Sequence, residues 1–240
     1  MNKFIVMVMI FIILLPIEAK EDEFPKNEIN NISIIEVNSS EEMIFRDFVK
    51  YDLEFMKKYR SNWSTIHPFN LDEFKISINS SSTLGKSYKG SNICDGKIET
   101  AWVEGVKGDG IGEWVKISIN AYSSLAQYTT TPFFIYRIGV VPGYAKSMKT
   151  WIENNRVKKL LVIIHSPPPL APHEHEWVVL RLNLKDEMKV QLFDIPNDKQ
   201  VGNLEPMVKE IWLKIEEVYK GTKYDDTCIS EFIAIGGFSS

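Results

Sequence analysis

Five carboxylic acids fall between Asp95 and Trp114, interleaved with five glycines, so this stretch is where the chain could do acid or base chemistry. Glycoside hydrolysis needs a pair of carboxylates, and Glu104 with Glu113 is the pair a hydrolase would use, Asp109 lying between them. Solvated turn acids are the competing reading. The run Gly108-Asp-Gly-Ile-Gly112 has the composition of a phosphate loop. Yet the alternating pattern from Val115 to Ile119 follows it, and a strand supplies no helix N-terminus to hold an anion. His173-Glu-His175 would set two imidazoles on one side of a strand for a transition metal, but it follows Pro167-Pro-Pro-Leu-Ala-Pro172 and reads as a loop tip. Neither Gly-x-Ser-x-Gly nor His-Glu-x-x-His occurs, and no cysteine has a histidine partner in a known nucleophile pattern. Catalysis would rest on Glu104 and Glu113 alone, so binding is the stronger expectation.

Sugar recognition asks for an aromatic face against the pyranose ring and forked polar groups for its hydroxyls. One connection gathers Tyr144, Lys146, Trp151, Asn154, Asn155 and Arg156, with Trp151 as the platform and Asn155 with Arg156 as the fork. A second carries Tyr122 and Tyr128, and a third Lys223, Tyr224, Asp225 and Asp226. Against these stand structural readings. Trp102 and Trp114 would be core plugs beneath the glycine loop, and Arg156 an ion-pair partner for Glu104 or Asp226.

The elements that must position these residues are strands. From Phe74 onward short alternating or apolar runs are separated by Gly, Pro, Asn and Ser clusters. The spacing predicts strands over 74–79, 114–120, 134–141, 158–165, 177–184, 189–194, 208–219 and 228–235. With no interleaved helices they suit an all-β jelly-roll β-sandwich. Residues 73–240 form this domain. Residues 20–40 read as a polar linker, and 41–60 as one amphipathic helix, with Ser39 and Glu42 as its capping box and Ile44, Phe48, Phe55 and Tyr59 as its apolar stripe. That stripe packs on the protein's own core or docks a partner protein. Asn31, Asn38, Asn62 and Asn79 each begin an Asn-x-Ser sequon, which matters only in a host that glycosylates them.

The whole chain has 240 residues, 44% hydrophobic and 25% charged, enough for one ordinary core. Its net charge of -4 argues against a nucleic-acid or anionic-membrane partner. Residues 1–19 read as a signal peptide. An apolar run from Phe4 to Leu15 follows Lys3, is too short to span a membrane, and precedes Ala19 as the cleavage point. No cysteine lies there to take a lipid anchor, so a secreted or periplasmic protein without a transmembrane anchor is expected. In an exported chain Cys94 and Cys228 read as one disulfide, the alternative being two small buried hydrophobes.

Asp95-Gly96 with Thr100-Ala-Trp102 resembles the Asp-Gly-x-x-x-Thr-x-Trp signature of discoidin-like, galactose-binding-like sandwiches of the coagulation-factor type C group. With Gly110-Ile-Gly-Glu113, Gly143-Tyr144-Ala-Lys146, Asn155-Arg156-Val-Lys158 and Tyr219 to Glu231, the chain is similar to the glycan-binding domain attached to bacterial NAD glycohydrolases, over about residues 73 to 240. That resemblance implies a lectin-like, non-catalytic sandwich whose partners are glycans. Residues 20–72 are too short for an NAD-cleaving domain. It also implies that the two ends of the domain run side by side, bringing Cys94 and Asp95 near Cys228 and Glu231. Related sandwiches hold a structural Ca²⁺ at this place, and Asp95, Thr100 and Glu231 offer the oxygens for it. Otherwise Asp95 caps its own turn and Glu231 pairs with a lysine. No other cofactor is expected. A carbohydrate-binding module is thus the leading expectation, ahead of a protein-binding adhesin on the same fold and a hydrolase using Glu104 and Glu113.

Overall fold

Alternation builds the sheets. Val115, Ile117 and Ile119 are buried while Trp114, Lys116 and Ser118 between them face outward, and Ile211, Leu213 and Ile215 turn into the core at the same spacing on a neighbouring strand. The computed structural model describes residues 23–50, 63–66, 74–121, 133–166, 176–196 and 208–238. In chain order these form α1 (Lys26–Ile29), β1 (Ile34–Asn38), β2 (Glu41–Met43), a helical stretch α2 (45–50), β3 (Trp63–Ile66), β4 (Phe74–Ser80) and β5 (Trp102–Val103). There follow β6 (Trp114–Ala121), β7 (Phe133–Val141), α3 (Met148–Glu153), β8 (Asn155–Ser166), β9 (Glu176–Asn183), β10 (Val190–Asp194), β11 (Glu210–Tyr219), β12 (Thr227–Ile229) and β13 (Glu231–Phe238).

Two sheets face one another. The larger runs β1-β9-β8-β11-β6-β4, with β12 and β5 attached beside the start of β8, and the smaller runs β2-β10-β7-β13-β3. Pairing is antiparallel except for β1 on β9 and β12 on β8. Leu160, Val162, Leu180 and Leu213 from one sheet meet Ile135, Ile138, Phe193 and Phe232 from the other in a continuous core. This is the expected all-β jelly-roll sandwich.

The N-terminal stretch departs from expectation. Instead of a linker and a helix beginning at 41, residues 34–38 and 41–43 are strands, one at an edge of each sheet, and α2 begins at 45. Ile35 and Val37 pack on the core, an alternation too short to stand out among the surrounding Asn, Glu and Ser. Ser39 does hydrogen-bond Glu42 (2.5 Å), but across the turn between two strands and not at a helix start. Residues 1–19 and 51–60 lie outside the described residues. The strand predicted over 228–235 is broken at Ser230, which separates β12 in the large sheet from β13 in the small one.

Register fixes where the loops gather. Glu231 pairs with Val141 at one end of the small sheet, and Tyr219 with Arg156 at the matching end of the large one. The connections 81–113, 142–154, 184–189 and 220–230 therefore crowd together at a single end of the sandwich.

Candidate functional site

Asp95 follows a 3-10 turn over Gly90–Cys94, and Gly96 behind it takes φ 73°, a conformation that a side chain disfavours. The Asp95 carboxylate accepts bonds from the Lys97 amide (3.0 Å) and the Thr100 hydroxyl (2.8 Å). Glu231, at the start of β13, is fully buried and accepts from the same Lys97 amide through Oε1 (2.7 Å). Its second oxygen has no hydrogen-bond partner. Burial, followed by the negative charge of Asp95, pushes the Glu231 carboxyl up to about 9. Ser230 ties in a third loop, donating to the Ile98 carbonyl (3.2 Å) and accepting from the Ala145 amide (2.9 Å). Asp95, Thr100 and Glu231 are thus brought together where the two ends of the domain meet.

The cysteines are not. Cys94 and Cys228 are free, buried thiols, so the expected disulfide is corrected to the alternative of two small hydrophobes. Cys94 sits in the main core and faces the Phe232 carbonyl (3.7 Å), while Cys228 packs in a separate cluster with Ala101 and Val103. Burial raises the pKa of both thiols.

Neither acid of the hydrolase reading stands free. Glu104 is fully buried and spans two elements, one oxygen accepting from the Thr227 amide (3.0 Å) and the other from the Val106 amide (2.8 Å). Burial raises its pKa despite those bonds. Gly110, at φ 63°, leaves it room: a Cβ there would lie 2.4 Å from the Glu104 Cγ. Glu113 accepts from the hydroxyls of Ser81 (2.6 Å) and Ser82, and Asp109 pairs with Lys220. Trp102 is the expected core plug, fully buried with its indole N–H on the Ser82 carbonyl (2.9 Å). Trp114 is not a plug, because it lies on the outer face of the large sheet, 4.9 Å from Trp212.

Trp151, Asn155 and Arg156 also point inward, so the surface platform and fork expected of them are corrected to a buried frame. Ser147 caps α3 with a capping box, and the short helix drives Trp151 into a cluster with Phe48, Val141, Leu192 and Ile233. The indole N–H reaches Asp186 (3.2 Å). The Arg156 guanidinium makes a two-pronged pair with the same carboxylate (Nε 3.0 Å, Nη2 2.5 Å) and donates to the carbonyls of Asn154 (3.0 Å) and Lys220 (2.8 Å). Its partner is therefore Asp186, not Glu104 or Asp226. Asn155 spends its amide on the Asp225 carbonyl (2.6 Å) and its oxygen on the Gly221 amide (2.7 Å). Gly143 passes so close that a Cβ would lie 2.4 Å from Arg156 and 2.7 Å from the Trp151 ring. Gly143→Ala should accordingly destabilise the fold by about 1–3 kcal/mol in urea unfolding, the usual cost of overpacking.

Tyr144, Lys146 and Tyr224 remain at the surface. Tyr144 is half-buried above Ala101, Val103 and Cys228 and meets Tyr88 edge-on, with ring centroids 6.2 Å apart. Burial, followed by the proximity of Tyr88, raises its phenol pKa. Lys146 is exposed, as is Tyr224, over whose ring the Lys223 ammonium sits at 4.7 Å. Sequence reasoning missed Tyr88. Its signal was an aromatic residue set between glycines in the polar turn Gly85-Lys-Ser-Tyr-Lys-Gly90. Tyr122, Tyr128, His173 and His175 lie outside the described residues. Among the described residues no three His, Cys, Asp or Glu side chains cluster as a metal site, and no helix is long and apolar enough to cross a membrane.

A comparison with curated protein sequences returns no match. Residues 69–234 match the family model for the NAD glycohydrolase translocation F5/8 type C domain. Among solved structures, the chain is similar to the CBM32-1 and CBM32-2 domains of Clostridium perfringens ZmpB in complex with GalNAc. The TM-score is 0.51 at 9% identity, over 85% of this chain and 40% of that one. It is likewise similar to the CBM32-1, CBM32-2 and M60 catalytic domains of ZmpB, with a TM-score of 0.50 at 9% identity, over 86% of this chain and 17% of that one. A third likeness is to chitosan-binding module 1 from a Paenibacillus sp. IK-5 chitosanase/glucanase, with a TM-score of 0.39 at 13% identity, over 68% and 94% of the two chains. At such identities the likeness is one of fold. The chain spans less than half the length of the two ZmpB chains.

Proposed function

The chain belongs to the NAD glycohydrolase translocation F5/8 type C domain family, and from that premise we propose that it is an exported, non-catalytic carbohydrate-binding module that attaches to glycans. The observation that carries this reading is the contrast at the loop end. The acids and the Trp151 to Arg156 group are consumed in holding the loops, while the Tyr88–Tyr144 pair stands over a rigid base with its rings partly open to solvent. A sugar ring needs such an aromatic face, and the exposed Lys146, two residues after Tyr144, and Tyr224 are further candidate contacts. Export is supported by the apolar run from Phe4 to Leu15 behind Lys3.

The same reading places a structural Ca²⁺ between Asp95, Thr100 and Glu231. Two carboxylates that share the Lys97 amide, one of them buried with an unpartnered oxygen, suit a hard cation better than they suit each other. The ion would supply the positive charge that lets Glu231 ionise and would fasten the two ends of the domain together.

A glycan array followed by titration of the best sugar tests the assignment. Tyr144→Ala should weaken binding about tenfold, the loss of roughly 1.4 kcal/mol of ring stacking. Full affinity in both Tyr144→Ala and Tyr88→Ala would move the site elsewhere, and no bound glycan at all would sink the reading.

A further inference from the structure

We infer that the glycan taken at the Tyr88–Tyr144 pair is anionic, a sugar bearing a carboxylate or a sulfate. This rests on the carbohydrate-binding reading above and adds the chemical class of the ligand. The argument is one of charge placement. The chain as a whole is acidic, with a net charge of -4. On the sheets several basic residues are paired with acids: Arg181 with Glu36 and Glu216, Lys158 and Lys159 with Glu217, Arg137 with Asp194. Around the tyrosine pair the pattern reverses. Lys86 and Lys89 bracket Tyr88 on its turn, Lys146 follows Tyr144 by two residues, and all three are exposed. Lys97, also exposed, lies on an adjoining turn, whose Ile98 carbonyl is tied through Ser230 to the amide of Ala145.

None of these four lysines has an ion-pair partner among the described residues, and the one exposed carboxylate on segments 81–100 and 142–150 is Glu99. Asp95, the other acid there, already accepts from Thr100 and the Lys97 amide. Unpaired lysines beside both tyrosines leave positive charge there on an acidic protein, set against the acids Glu104 and Asp226 that lie by Cys228 under Tyr144. A neutral sugar stacked on Tyr144 leaves that charge unused. A sugar with an acidic substituent relieves it, since each ammonium offers three donors that can swing onto a carboxylate or sulfate oxygen.

The test is titration of the full chain with matched sugars, lactose, 3′-sialyllactose and 3′-sulfolactose, at about 20 and 200 mM salt. One or both acidic sugars should bind at least about tenfold more tightly than lactose, with the advantage shrinking several-fold at the higher salt. Which acidic sugar leads distinguishes carboxylate from sulfate. The variant Lys86→Gln/Lys89→Gln/Lys97→Gln should lower the ratio of acidic to neutral affinity without shifting the melting temperature. Should the triple variant not fold, Lys86→Gln alone serves, because its side chain is exposed. Equal affinity for all three sugars overturns the inference and leaves the carbohydrate reading standing. No binding of any of these three sugars overturns the inference, and the glycan array decides separately whether the carbohydrate reading falls with it. Sugar-independent binding to phosphatidylserine vesicles, lost in the triple variant, would assign the lysines to a lipid surface and overturn the inference.

Discussion

Asp186→Ala is expected to cost about 3–5 kcal/mol of folding stability, more than removal of its partner by Arg156→Ala. The difference comes from which charge is left behind. The Arg156 side chain is only 9% exposed, whereas that of Asp186 is 37% exposed. Deleting the aspartate strands a guanidinium in a place that water barely reaches, with just the carbonyls of Asn154 and Lys220 to face. It also removes the acceptor of the Trp151 indole N–H. Deleting the arginine leaves a carboxylate that water can solvate, so its cost is mostly lost packing and two carbonyls without their donor, about 2–3 kcal/mol. The double variant should cost less than the sum of the two, because each single change already breaks the same pair. For a chain of this length, 3–5 kcal/mol lowers the melting temperature by roughly 6–20 °C. Urea melts of the two single variants and the double variant check this. A loss under about 1 kcal/mol for Asp186→Ala would mean that Arg156 does not depend on it, and would return Arg156 to the list of side chains available to a ligand.

That the frame around Arg156 was misread from sequence has a physical cause. A strand such as β6 announces itself because one face is buried and the other more open, so the period of two is written in consecutive residues. A tryptophan two positions from an acid and five from an arginine has no such grammar. Whether Trp151 offers its face to a sugar or to a core depends on Phe48, Val141 and Leu192, and whether Arg156 is free depends on Asp186, thirty residues on. β1 was hidden similarly. Its partner β9 arrives only 145 residues later, Ile34 lying against Val179, and only Ile35 and Val37 mark an inner face. The meeting of Asp95 with Glu231 was legible only through the family pattern, since nothing in the spacing of two distant acids says that they touch. The two cysteines beside them invited the same logic and it failed there. Cys94 and Cys228 lie on strand and turn positions that face different clusters, so nearness of the chain ends did not bring the sulfurs together.

The second large effect concerns Glu231. In the cation-free protein its carboxyl is pushed up to about 9, from an ordinary value of 4.5, by burial and by Asp95. A group whose pKa is raised by folding contributes stability that is complete below 4.5 and is lost as pH climbs toward 9. By pH 7 the loss amounts to about 3 kcal/mol, and it continues to grow until the folded carboxyl has titrated. Calcium bound between Asp95, Thr100 and Glu231 would take the place of that proton, so binding should release close to one proton per ion and strengthen as pH rises. At a concentration a hundred times its dissociation constant the ion would add about 2.7 kcal/mol. Melting curves from pH 5 to 9 with a chelator should therefore fall with pH, and curves with calcium should diverge upward from them most at the alkaline end. Glu231→Gln removes both the charge and the ligand. Its chelated melting temperature should be nearly flat with pH and at or above that of the wild type at pH 8, with no response to calcium. A wild-type protein indifferent to calcium, together with a Glu231→Gln variant that melts lower at pH 8, would make this carboxyl a cap for the Lys97 amide and nothing more. The distinction is available because burial alone predicts that glutamine relieves the site, while a capping role predicts that glutamine weakens it.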